Sequence, residues 1–127
     1  MGHGDTICIA DGNFPAGAVE KGTPVIRMDG HGIPEILDAI LEVYPLDVYV
    51  ETPVCLMKLL DRDQGKVETP IWDTYAEIIK KHDARGEEAI VHVDRYDFYA
   101  EAKKCHCIIA TGESAIYANI IIQKGIV

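Results

Sequence analysis

The chain has no apolar run of about 18 residues, so nothing in it could span a membrane as a helix. Its first residues, Met1–Asp5 (MGHGD), hold neither a basic region nor an apolar stretch, which predicts no secretory signal. Basic residues are scarce: 12 Lys and Arg stand against 21 Asp and Glu, a formal charge of −9. They are scarcest in residues 1–57, where Lys21 and Arg27 face nine acidic residues. A chain this acidic, with no basic stripe, is not expected to bind nucleic acid or an anionic membrane surface. There is no phosphate loop, no complete dinucleotide fingerprint, no internal repeat and no low-complexity tract. The four cysteines, Cys8, Cys55, Cys105 and Cys107, contain no Cys-x-x-Cys spacing. That pattern predicts reduced, buried thiols of a cytoplasmic protein, with neither a disulfide framework nor a zinc knuckle.

What is present is an ordinary globular composition. The 127 residues are 48% hydrophobic and 26% charged, which suits one domain around one core. The expected order of elements is β-β-α-β-α-β-α-β-β. Thr6–Ala10 (TICIA) is a short apolar run ended by the turn residues Asp11-Gly12-Asn13. Residues 24–28 (PVIRM) form a second. Ile33, Ile36, Leu37, Ile40 and Leu41 then recur at helical spacing, with Pro34 in the first turn and Pro45 as the stop. Val48–Val50 reads as a strand and 61–68 (DRDQGKVE) as an exposed loop. Thr69-Pro70 opens a second helix with an Ile71, Trp72, Tyr75, Ile78, Ile79 stripe and cations in its last turn. Residues 89–93 (AIVHV) form a strand, Asp94 caps a helix over 95–104, and 107–110 and 119–123 close the chain as strands. Alternating strands and helices predict an α/β layer fold with some parallel pairing.

Few residues carry obvious chemistry. His3, flanked by glycines just before a strand, is off any core pattern. An imidazole, with an ordinary pKa of about 6.5, can both give and take a proton near neutrality. On pattern alone, an unstructured terminal histidine is the plainer reading. Asp11 ends a strand, where a carboxylate can hold ligand hydroxyls but also simply favours a turn. Tyr117 and Asn119 alternate across Ala118; on a strand they share a face, so a phenol and an amide could converge on a polar ligand. The plainer alternative is a half-buried tyrosine whose hydroxyl reaches water. Cys105-His106-Cys107 has soft ligands at a spacing that points them apart, so no metal site is expected. These residue types point to proton-transfer chemistry or to binding of a neutral polar molecule.

Four segments together resemble the L-fucose mutarotase / D-ribose pyranase family: MGHGD running into IADGNFPA, VIRMDGHGIPEIL continuing through PLDVYVETP, DRYDFYAEAKK, and TGESAIYANIIIQKGIV. TPIWDTY at 69–75 resembles the fucose branch. The resemblance runs along nearly the whole chain in order. It implies a single-domain layered α/β fold with a mostly parallel sheet flanked by helices. It implies an isomerase that interconverts the anomers of a free monosaccharide, L-fucose first and D-ribose second, with a non-catalytic sugar-binding homologue as the third reading. By residue, it implies His3 as the catalytic proton donor with Tyr117 as a second participant. It assigns Asp11, Arg95, Tyr117, Ala118 and Asn119 to substrate binding. No metal or organic cofactor is implied. The implied assembly is a ring-shaped homo-oligomer, a decamer, with sites completed by neighbouring subunits. Family members usually carry a helix of about 15–20 residues before the histidine motif, a length of several turns, so the chain is expected to lack that helix.

Overall fold

A computed structural model of the chain describes residues 1–19 and 22–127. Its strands are β1 (Thr6–Ala10), β2 (Val25–Met28), β3 (Val54–Met57), β4 (Ile90–Val93), β5 (Cys107–Thr111) and β6 (Ile120–Gln123). Its helices are α1 (Ala16–Val19), α2 (Ile33–Val43), α3 (Pro70–His82) and α4 (Arg95–Lys103), with short 3-10 turns at Asp61–Asp63 and Gly86–Ala89. One six-stranded sheet runs β2-β5-β1-β6-β3-β4. Its pairs are parallel except where β6 lies antiparallel between β1 and β3.

The central strands β1, β6 and β3 are apolar on both faces because helices cover both. Ile7 and Ile9 of β1, Ile120 and Ile122 of β6, and Val54 and Leu56 of β3 face α2 and α3, whose stripes contribute Ile33, Leu37, Tyr75 and Ile79. Cys8, Ala10, Ile121 and Met57 alternate onto the other face, where Phe98 and Ala102 of α4 cover them. The cysteines are free thiols of this packing, Cys55 only half-buried. Desolvation pushes the Cys55 thiol up to about 12 and the Cys105 thiol up to about 11, so both stay protonated and unreactive.

Pattern and structure agree where periodicity is strong. Thr6–Ala10 is a strand with the predicted ends, Pro70 is the first residue of α3, and the Asp94 carboxylate accepts the Asp97 N–H as the cap of α4 at 2.9 Å. Two expectations are corrected. Val48–Val50 is not a strand: the Asp47 carboxylate takes the Tyr49 N–H, the chain bends, and Val48 and Tyr49 are each 72% exposed. The strand there is Val54–Met57, beyond Pro53. The four-residue α1 had no apolar period to announce it. Among the described residues no helix is long and apolar enough to cross a membrane.

Candidate active site

The topology lays one loop across the end of one strand. Parallel β5 ends beside the C-terminal end of β1, and β6 begins on the far side of β1 and runs back. The connection, 112–119, therefore crosses the end of β1, where Asp11 sits. The Gly12 N–H donates to the Glu113 carbonyl at 2.9 Å, and a Cβ at Gly12 would approach that oxygen to 3.3 Å. The Asp11 N–H donates to the Asn119 side-chain oxygen at 2.7 Å. With its oxygen committed, Asn119 keeps its amide N–H groups for the cleft.

That cleft has a volume of about 290 Å³. Asp11, Tyr117 and Asn119 line it together, joined by Arg62 and Asp63 from the 3-10 turn and by Tyr99 of α4. Phe14 forms part of the wall, its ring edge-on to Tyr99 at 5.7 Å between centroids. Burial, and then the nearby charge of Glu113, raise the Asp11 carboxyl above its usual range, while the N–H groups of Asn13 and Phe14 oppose the shift.

Tyr117 and Asn119 do share the cleft, but through a turn instead of a strand. Tyr117 has φ of +55°, the left-handed region that a bulky residue seldom occupies. Its backbone is clamped from α3. The Trp72 indole N–H donates to the Tyr117 carbonyl at 2.8 Å, and the buried Tyr75 hydroxyl donates to the Ala118 carbonyl at 2.6 Å. Ala118 itself is fully buried, with its side chain in the α2/α3 core. The Tyr117 hydroxyl donates to the Asp63 carboxylate and accepts the Leu60 N–H at 3.2 Å. Burial and the Asp63 charge raise the phenol. Arg95 opens α4 one turn before Tyr99. Its guanidinium lies over the Tyr96 ring, 5.2 Å from the centroid, and is not part of the cleft lining.

His3 stands elsewhere. It precedes β1 while Asp11 follows it, and the strand spans on the order of 15 Å. Its imidazole Nε2 meets the Asp47 carboxylate at 3.1 Å, and its ring packs on Tyr49 at 5.3 Å between centroids. Asp47 is nearly fully buried and also accepts the Tyr49 N–H and the Gln123 amide, each at 2.9 Å. The Tyr49 N–H above all, then His3 and Gln123, hold its carboxyl below the usual range. The loop bearing Asp47 is fixed by Arg85, whose guanidinium reaches the carbonyls of Asp47 and Val50. A close approach also fixes it: a Cβ at Gly125 would lie 2.6 Å from the Leu46 carbonyl oxygen.

Asp47, Arg62 and Asp63 were not among the residues expected from sequence. Each lies in a polar or bending stretch with no periodicity to single it out. A third grouping, Asp38, Glu42 and His82, brings ligand-type atoms within 4.8 Å of one another between α2 and α3. There Lys81 and His82 already occupy the Asp38 carboxylate, at 2.8 and 2.6 Å.

Residues 1–127 match the model of the RbsD / FucU transport protein family. The chain is 44% identical to the human protein named fucose mutarotase, over 99% of this chain and 82% of that one. Among solved structures it resembles FucU from Bifidobacterium longum, at 57% identity and a TM-score of 0.94, covering 100% of this chain and 89% of that one. It also resembles the fucose mutarotase from Streptococcus pneumoniae solved in complex with L-fucose, at 42% identity and a TM-score of 0.90, covering 100% and 86%.

Proposed function

The chain belongs to the RbsD / FucU transport protein family, and from that premise we infer that it is a fucose mutarotase, an isomerase interconverting the α and β anomers of free L-fucose. One observation carries the reading: Asp11, Tyr117 and Asn119 meet in one cleft of a chain 42% identical to a protein solved with L-fucose bound.

Mutarotation needs a proton delivered to the ring oxygen and one removed from the anomeric hydroxyl. The C1–O5 bond then breaks, the open-chain aldehyde turns about C1–C2, and closure reverses both transfers. We assign the proton donor to His3, whose ring is oriented by Asp47. Tyr117 faces the anomeric oxygen. Asp11 and the 117–119 segment hold the sugar hydroxyls and so keep the anomeric centre within hydrogen-bond reach, and Arg95 joins them on leaving the Tyr96 ring, where it rests outside the cleft lining. Spontaneous mutarotation is already fairly fast, so the residues need to supply a modest part of the barrier.

Because His3 and Asp11 lie at opposite ends of β1, we assign the donor to a neighbouring copy in a ring-shaped homo-oligomer, a decamer by family resemblance. Exposed apolar side chains support two different contact patches: Val48 and Tyr49 beside His3, and Ile116 on the cleft. Different patches meeting head to tail close into rings when the rotation between copies closes. Free thiols support a reducing, cytoplasmic setting.

Saturation-transfer NMR on L-fucose and D-ribose tests the activity directly. Exchange between fucose anomer signals is expected to exceed the buffer rate. Acceleration of ribose alone would overturn the fucose assignment, and binding of fucose without acceleration would overturn catalysis.

A further inference from the structure

The protons around Tyr117 are already spoken for. Its hydroxyl hydrogen is donated to the Asp63 Oδ2 at 2.5 Å, and one lone pair of its oxygen takes the Leu60 N–H. What remains toward the cleft is a second lone pair, an acceptor without a hydrogen. A tyrosine so committed cannot protonate a sugar. It can accept a proton from one, provided that its own proton moves on.

The surroundings are built to hold that arrangement. Trp72 and Tyr75 hold the successive carbonyls of Tyr117 and Ala118, and the left-handed φ of Tyr117 is retained under these clamps. The Asp63 backbone is tied into its own loop: its N–H donates to the Leu60 carbonyl and its carbonyl accepts the Lys66 and Val67 N–H groups. The carboxylate is left for Tyr117. Both residues line the same cleft as Asp11 and Asn119.

We propose that Asp63 acts through Tyr117 as the proton acceptor for the anomeric hydroxyl, in a two-residue relay from sugar to phenol to carboxylate. This rests on the mutarotase reading. In ring opening, the O1 proton passes to the Tyr117 oxygen while the Tyr117 proton passes to the Asp63 carboxylate. O5 gains the proton of the donor imidazole, the C1–O5 bond breaks, and C1–O1 becomes the aldehyde. Closure returns the Asp63 proton through Tyr117 to O1 and the O5 proton to the imidazole, on either face of C1. Both residues end as they began. Asp63 is a positioning residue in the sense that it touches the phenol and not the sugar.

The other titratable or charged groups around this pair are Asp11 from the end of β1, Arg62 from the same turn, and Tyr99 and Arg95 from α4. A pH profile of the unaltered protein therefore mixes several groups, and the comparison with Asp63→Asn isolates one. Asp63→Asn keeps the side-chain size on a partly exposed turn. It is expected to lower kcat for fucose anomer exchange about 100-fold, a usual worth of general acid–base catalysis, with KM within about twofold. The acid limb of the kcat profile should weaken or vanish, and Asp63→Glu should recover part of the rate. Asp63→Asn added to Tyr117→Phe should lose no more than Tyr117→Phe alone, since the relay is already cut. Full activity in Asp63→Asn would overturn the proposal. So would a loss seen in KM with an unaltered pH profile, or losses that add in the double variant. Thermal melts of all variants identify any that fail to fold, and Asp63→Glu then carries the pH-profile test. If the unaltered protein does not accelerate exchange, the mutarotase reading has failed; if it does and Asp63→Asn matches it, only the relay has.

Discussion

His3 and Asp47 are 44 positions apart, and the imidazole is oriented by a buried carboxylate that no local pattern marks. The acid–base role of a histidine depends on which ring nitrogen is held and which is free, and a carboxylate partner sets both. Asp47→Asn keeps the volume but removes the charge facing the ring. Fucose anomer exchange is expected to fall roughly tenfold or more, as for other oriented histidines that lose their carboxylate. An unaltered rate in the NMR assay would show that His3 needs no such partner. The same distance explains what the residues disclosed in advance. Asp11, Tyr117 and Asn119 were legible as candidates because each has a chemical side chain at a strand end or on a shared face. Asp63 and Arg62 were not, because 61–68 is a polar stretch with no periodicity and only the fold brings it against Tyr117.

At the scale of elements, α3 does more than cover the sheet. Its Tyr75 is fully buried, and its hydroxyl reaches the Ala118 carbonyl between two cleft residues. Burial pushes that phenol far above its ordinary value, so it remains a donor at all working pH. Tyr75→Phe leaves the carbonyl without its donor in the core. The expected cost is about 1–3 kcal/mol of stability, read as a shift in urea midpoint at constant m. A rise in KM for fucose should accompany it as the 117–119 backbone loosens. A loss of stability with unchanged KM would confine Tyr75 to packing. Elements were readable wherever burial imposed a period. The α2 stripe and β1 stood out because one face or both must be apolar. Val48–Val50 misled because β-branched and aromatic residues favour strands, yet here a side chain-to-backbone bond at Asp47 turns them outward. Val54–Met57, apolar on both faces, has no alternation to reveal it.

For the whole molecule, acid and assembly give separate expectations. The carboxyls of Asp47, Asp83, Asp94 and Asp38 are held below their usual range, chiefly by the Tyr49 N–H, Arg85, the Asp97 N–H and His82 in turn. A folded-state pKa below the unfolded one adds stability that is full above the unfolded value and is lost as pH falls through the folded one. Asp11, raised by burial, has the opposite sign, favouring the fold below its unfolded value and losing that favour as pH rises. Four against one, the melting temperature should drop as pH falls below about 4, and a flat profile would refute this balance. Assembly is tested by mixing. Within one chain, β1 keeps His3 and Asp11 apart, and in the proposed ring the site takes His3 of one copy and Asp11 of the next. His3→Ala and Asp11→Ala should each be inactive alone. Mixed in equal amounts and allowed to exchange subunits, they place an intact His3 against an intact Asp11 at about a quarter of the contacts in a head-to-tail ring. Recovery of about that fraction of the unaltered rate is expected. A neutral sugar needs no electrostatic steering, so salt should barely change the recovered rate once rings have formed, and should act mainly on how fast acidic subunits exchange. Activity that never returns, with subunit exchange verified by mass spectrometry of differently labelled chains, would place both residues in the service of one chain and sink the shared site.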